Sequence, residues 1–186
     1  SSLPPREGAF VVKLIAKTPC DGLLPVTIGA ITMTQIETGL ITSISPLKGQ
    51  QKAVSEALNT AHGVAFPAPN RTTSNDAARL IWSGRGQALM LGVVPDVKGA
   101  ALTDQSDAWA HIEIAGDGVA EVLARVTPVD IRAMKRGHTE RTLVQHVSVE
   151  LTRTGANRYE VMAMRSMART LVHDLERAMT GVAARG

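Results

Sequence analysis

The chain has 186 residues, 44% hydrophobic and 20% charged, enough to bury a core as one large domain or two small intimate ones, which excludes disordered and fibrous classes. Aromatic content of 3% excludes stacking on single-stranded nucleic acid as the main activity, and a net charge of +3 is too weak for a dedicated polyanion binder. The single cysteine, Cys20, rules out an internal disulfide and a Cys-based zinc site within one chain.

A reducing compartment is the simplest home for such a chain. Its apolar stretches fall well short of the ~20 residues that cross a bilayer, and no basic, apolar, small-residue signal pattern opens it, so a cytoplasmic protein is expected. The sequence begins with Ser1, which fits either trimming or an incomplete N-terminus. The basic residues are mostly arginine, the cation favoured in desolvated interfaces, and this points toward a partner protein.

In chain order, residues 1–35 read as an extended arm, with Pro4, Pro5, Pro19 and Pro25 blocking regular pairing and an apolar run at residues 10–15 giving it something to pack. Residues 36–98 read as a β-α-β-β module: a strand at 40–44, a helix at 50–62, and a strand pair at 79–82 and 88–92 around the turn 83–87. The helix carries Ala53, Val54, Ala57, Leu58 and Ala61 on one face, and Gly63 ends it. Residues 72–76 read as loop, and residues 92–103, containing Gly and Pro, read as a crossover and the joint between halves.

Residues 99–186 repeat the order: a strand at 109–114, a helix at 118–126, a long strand at 142–152 and another at 158–164, followed by a C-terminal helix. Ser166 is placed to cap that helix, whose Ala168, Leu171, Val172, Leu175 and Met179 form one apolar stripe. The fold class is therefore α+β, built from duplicated β-α-β-β modules.

The chemistry-bearing residues do not assemble into a known kit. Gly116-Asp117-Gly118 lies between a strand and a helix, the context of a dinucleotide turn, but Glu121 replaces the third glycine and Asp117 would repel a phosphate, so a structural turn is expected. Ser83-Gly84-Arg85-Gly86-Gln87 is too short for a phosphate loop and reads as a hairpin turn with Arg85 free for a partner. His111 with Glu113, and His146 with Glu150, each share a strand face and permit an acid/base pair or metal site on paper, although mixed polar faces also mark a solvent- or subunit-facing sheet. Surface roles suffice for His62, His138 and His173. Cys20 has no nearby histidine in sequence, and no serine sits in a nucleophile elbow. Arg132, Lys135, Arg136 and Arg141 form a basic loop suited to solvent or an acidic protein surface more than to nucleic acid. No catalytic, cofactor-binding or metal-ligating residue is assigned.

The order of short motifs nevertheless resembles a known family. Ile44-Ser45-Pro46-Leu47 precedes the first helix and Ala68-Pro69-Asn70-Arg71 follows it; Leu80-Ile81-Trp82-Ser83-Gly84-Arg85-Gly86-Gln87 forms the strand pair. Thr127-Pro128-Val129-Asp130-Ile131, Arg141-Thr142-Leu143, Tyr159-Glu160-Val161 and Arg165-Ser166-Met167-Ala168 come next. Over residues 40–179 this series resembles the gamma subunit of heterotetrameric sarcosine oxidase, a relative of the folate-binding domain of glycine-cleavage aminomethyltransferases. Departures are Ala88, Met162, Met167 and Val172, where family members tend to place aromatics.

The resemblance implies an aminomethyltransferase-like folate-binding-domain fold and a noncatalytic subunit. In such a complex the beta subunit carries covalent FMN and the site where FAD oxidises the N-methyl amine. The alpha subunit binds NAD and presents the tetrahydrofolate domain, and a small delta subunit binds zinc. Alpha is the expected main contact of this chain, with beta and delta as further partners and neither nucleic acid nor membrane involved. A stand-alone folate-dependent aminomethyltransferase-like protein and an RNA-binding module are the rival readings. Related complexes oxidise dimethylglycine or N-methylglutamate.

Overall fold

A computed structural model of the protein describes residues 17–186. Its elements run β1 (Val26–Ile28), β2 (Ile31–Gln35), β3 (Ile41–Pro46), α1 (Gln51–His62), β4 (Thr72–Ser74), β5 (Arg79–Gly84), β6 (Gln87–Leu91) and β7 (Ala100–Asp104). They continue with β8 (Trp109–Gly116), α2 (Val119–Ala124), β9 (Thr139–Val144), β10 (Val147–Gly155), β11 (Arg158–Met164) and α3 (Ala168–Ala183). Two antiparallel sheets result, one ordered β1-β2-β8-β11-β10-β9 and the other β4-β5-β6-β3-β7.

Strand alternation divides each sheet into two faces. One face of the six-stranded sheet, with Ile112, Ile114, Leu151, Tyr159 and Val161, packs on Leu123 of α2 and on Leu171, Val172, Leu175 and Met179 of α3. Full burial of each such aliphatic side chain contributes ~1.5–3 kcal/mol, so this is the main core. In the five-stranded sheet, Ile44, Leu80, Ala88 and Met90 pack on Val54 and Leu58 of α1. The remaining faces meet each other through Ile41, Ile81, Leu89, Leu91 and Met162, with Trp109 at the margin. The layers are therefore helix, sheet, sheet, helices.

The duplication is real and longer by one strand than strand-helix-strand-strand. β3-α1-β4-β5-β6 and β8-α2-β9-β10-β11 have the same internal sheet order. Both last hairpins carry a register shift at the same place, between Trp82 and Gly84 in one and between Arg153 and Gly155 in the other. The two edge strands meet at a bridge between Arg71 and His138, where Thr72 N donates to Gly137 O at 3.0 Å and Thr139 N donates to Asn70 O at 3.1 Å. The backbone thus joins the sheets along one side.

Four expectations about strands change. The expected strand 142–152 is two strands, because Gln145 adopts φ 54 and reverses the chain with His146. The expected loop at 72–76 contains β4, which closes the edge of its sheet. Residues 92–103 are not all crossover, since β7 pairs with β3; a boundary after residue 98 would cut that strand from its sheet. The last part of the expected arm, β1 and β2, is a hairpin laid on β8. Earlier arm residues through 16 lie outside the described residues.

Helix ends follow their local chemistry. Gly63 takes a left-handed φ of 73 and its N–H reaches Asn59 O, ending α1 as expected. Ser166 does not cap α3: it lies in a 3₁₀ turn (Arg165–Met167), and the capping position is Met167 without a side-chain hydrogen bond.

Candidate functional site

The charged residues that the fold brings together lie between the sheets. Arg79 at the start of β5 bonds to Glu160 Oε2 on β11, joining one sheet to the other. His111 Nε2 lies 2.9 Å from the same oxygen, and Thr38 Oγ1 bonds to His111 Nδ1. A carboxylate only accepts, so Nε2 carries the proton, and in the neutral ring Nδ1 accepts from Thr38. Burial raises the Glu160 pKa, but the His111 and Arg79 hydrogen bonds outweigh it and hold the carboxyl at about 2. Such a carboxylate is a poor base and a strong structural tie.

A second buried acid, Glu150 on β10, is 1% exposed. Thr139 Oγ1 donates to its Oε1 at 2.8 Å, whereas among the described residues Oε2 has no partner, and neither has the buried hydroxyl of Ser83. Burial pushes its pKa up to about 7, with Thr139 and Arg141 opposing. Arg141, directly across from Glu150, donates from Nη1 to Ser83 O at 3.1 Å, adding a second tie between the sheets. A carboxyl that titrates near neutrality is a candidate acid/base group, yet Glu150 is buried away from solvent.

The sequence-predicted pairs come apart. His111 engages Glu160, not Glu113, and Glu113 instead pairs with Arg158 at 2.6 Å. His146 occupies an exposed turn away from buried Glu150. Arg79, Thr38, Thr139 and Glu160 were not singled out by sequence; Glu160 alone carries a signal, a charge between the apolar residues Tyr159 and Val161 of one strand, while Thr38 lies in the connection between β2 and β3. His62 Nε2 accepts from Asp96 N at 2.9 Å, His138 sits at the edge bridge and His173 is exposed. Cys20 lies in the core, where burial pushes its thiol pKa up. Arg132, Lys135 and Arg136 are exposed, while Arg141 belongs to β9. Among the described residues, no three His, Cys, Asp or Glu side chains group as a metal site.

Both glycine turns shape the backbone. The segment 83–87 makes the bulged β5–β6 hairpin, with Arg85 exposed. At Gly116, φ is 136 and a Cβ would stand 2.0 Å from Ala30 O, so glycine is required by the close passage of the β1–β2 turn. Asp117 Oδ1 accepts from Asn157 Nδ2 at 3.0 Å. Gly116→Ala is expected to cost about 3 kcal/mol, from overpacking plus a strained φ; Gly118→Ala, with no heavy atom closer than 3.8 Å, should cost about 1 kcal/mol. Thermal unfolding of both variants checks the ranking.

Open hollows border the polar layer. One of about 260 Å³ is lined by Thr38, Trp109, His111 and Arg165, and one of about 220 Å³ by Thr38, Arg79, His111 and Glu160. A wider one, about 490 Å³, lies over Thr32, Thr34, Glu113 and Arg158. Among the described residues, no helix is long and apolar enough to cross a membrane.

No protein-family model matches the sequence, and a search of curated proteins finds no significant match. Solved structures do match. One is a chain of the heterotetrameric sarcosine oxidase from Corynebacterium sp. U-96, in complex with pyrrole 2-carboxylate, at TM-score 0.77 and 19% identity over 90% of this chain and 96% of that chain. Another is the glycine cleavage system aminomethyltransferase T from Bartonella henselae, at TM-score 0.55 and 12% identity over 80% of this chain and 46% of that one. The chain thus spans just under half of the aminomethyltransferase. It has the α+β fold shared by a sarcosine oxidase chain and part of an aminomethyltransferase.

Proposed function

We propose that this chain is the noncatalytic gamma-type subunit of a sarcosine oxidase-like heterotetramer. The complex oxidatively demethylates an N-methyl amine, passes the one-carbon unit to tetrahydrofolate and reduces oxygen to hydrogen peroxide. The observation carrying this reading is the near end-to-end fold agreement with one chain of such a complex, 90% of this chain on 96% of that one. FAD, FMN, NAD, tetrahydrofolate and zinc belong, on this reading, to the partner subunits, where they supply redox and one-carbon chemistry. Dimethylglycine or N-methylglutamate would serve a related complex equally well, because this chain does not touch the amine.

The residues between the sheets do not fit a bound folate. Ile41, Ile81, Leu89, Leu91 and Met162 fill that space, and the ion pair from Arg79 to Glu160 crosses it. Tyr159, the single tyrosine, is fully buried in the main core with its hydroxyl donating to Ile131 O at 3.3 Å, so it cannot stack on a ligand. These facts weigh against a stand-alone aminomethyltransferase. The purified chain is expected to show no flavin absorbance, no oxidase activity and no micromolar binding of tetrahydrofolate in a calorimetric titration. Micromolar folate binding by the isolated chain would move the assignment to the stand-alone enzyme.

A further inference from the structure

The two halves share strand order and pairing register, and they differ in what lies beyond the strand that flanks each module. In the six-stranded sheet, β2 flanks the first strand of its module: Gln35 lies opposite Ile112, Met33 opposite Ile114 and Ile31 opposite Gly116. In the five-stranded sheet, β7 flanks the corresponding strand in the same register: Asp104 lies opposite Thr42, Leu102 opposite Ile44 and Ala100 opposite Pro46. Even the hydrogen bonds just beyond each strand agree, Ile36 N to His111 O and Gln105 N to Ile41 O, both at 2.8 Å. Leu102 is therefore the counterpart of Met33.

Their surroundings are opposite. Met33 is 0% exposed because β1 pairs on the outer side of β2, placing Val26 opposite Met33 and Ile28 opposite Ile31, with α3 packed behind. Leu102 is 41% exposed, and among the described residues β7 is the last strand of its sheet, with no counterpart of β1 beside it. Antiparallel bonding alternates sides along a strand, so with Gln105 bonded to β3 the N–H and C=O groups of Leu102 and Asp104 point outward. Among the described residues no element covers this edge, and β7 itself, Ala-Ala-Leu-Thr-Asp, has no lysine, proline or bulge.

We infer that the free edge of β7 is a docking site for an extended segment of a partner protein, which pairs antiparallel with it as β1 pairs with β2. The repeat itself states the occupant's chemistry: a short strand with branched apolar residues opposite Leu102 and Ala100, as Val26 and Ile28 stand opposite Met33 and Ile31. The exposed carboxylates of Asp104 and Asp107 mark one end of the edge and select a basic residue there. This rests on the reading of the chain as a subunit and names the surface through which it joins its partner.

The test uses the chain co-expressed with the large flavoprotein subunits of the complex and follows co-elution on size exclusion. Leu102→Pro removes one outward N–H without touching the ladder to β3, and Leu102→Glu removes the apolar contact. Leu143→Glu, at a leucine 42% exposed on β9, is the control. Retention in the complex is expected to fall at least about tenfold for both Leu102 variants and to stay unchanged for Leu143→Glu, while all three isolated chains melt close to the parent. Amide exchange at Leu102 and Asp104 is expected to slow only in the complex. If the parent co-elutes and the Leu102 variants do so equally, the docking site is wrong and the subunit reading stands. If the parent never co-elutes, the subunit reading fails and the inference falls with it. Self-association of the isolated chain that Leu102→Pro abolishes would assign the edge to a second copy and overturn the inference.

Discussion

Glu160→Ala is expected to destabilise the isolated chain by about 3 kcal/mol at neutral pH, the lower end of what breaking a buried ion pair costs. The substitution leaves Arg79 and His111 facing a void between the sheets; the Arg79 side chain, 24% exposed, recovers part of its hydration, whereas His111, at 4%, does not. The acid profile identifies the cause. Glu160 has its folded pKa depressed to about 2 from an ordinary 4.5, so its stabilisation is present above 4.5 and is lost as pH falls through about 2. Urea titrations of parent and variant at neutral pH and near pH 2 check both points: the gap should close in acid. A constant gap would mean that the variant acts by lost packing alone.

The second large effect has the opposite sign. Glu150 has its folded pKa raised to about 7 against an ordinary 4.5, so stability is fully present below 4.5, declines as pH rises, and the loss is complete above about 7. The shift corresponds to roughly 3 kcal/mol. Glu150→Gln keeps the shape and abolishes the charge, and is therefore expected to stabilise the chain by about 2–3 kcal/mol at alkaline pH while changing little in mild acid. Denaturant midpoints measured across that range test this; a variant with the parent's pH slope would show that Glu150 is not the responsible group. Together the two acids confine maximum stability of the isolated chain to mildly acidic solution.

Much of the architecture was legible because it is written in periodicity. The stripe of Leu171, Val172, Leu175 and Met179 announced α3, and the Gly-containing segments after Trp82 and Arg153 announced both hairpins. The alternation of Ala110, Ile112 and Ile114 with His111 and Glu113 gave β8 and its two faces. The missed features have no local signature. Gln145-His146 turns the chain without glycine, asparagine or proline, so two strands read as one. The small residues of β7 carry no alternation, and β1 with β2 sits directly after a proline-rich stretch.

The site was less legible than the fold. His111 was recognisable as a polar residue on a strand, but its partner depended on strand order. β11 is the neighbour of β8, and with His111 opposite Met162, Glu160 becomes the diagonal cross-strand neighbour. Arg79 reaches the same carboxylate only because the two sheets stack, a relation between modules that no spacing within one module contains. For the same reason the bare edge of β7 emerges only when the two repeats are compared in three dimensions.

On the proposed reading, this chain serves as one subunit of a flavin-dependent amine-oxidising complex and exerts its function through the neighbours it holds. Co-expression with the large flavoprotein subunits, followed by size exclusion with absorbance at flavin wavelengths, tests it directly. The chain is expected to elute in fixed stoichiometry with the flavin-bearing subunits, and the complex to lose integrity when the chain is left out. A stable, monodisperse monomer that elutes apart from a fully active flavoprotein complex would contradict it.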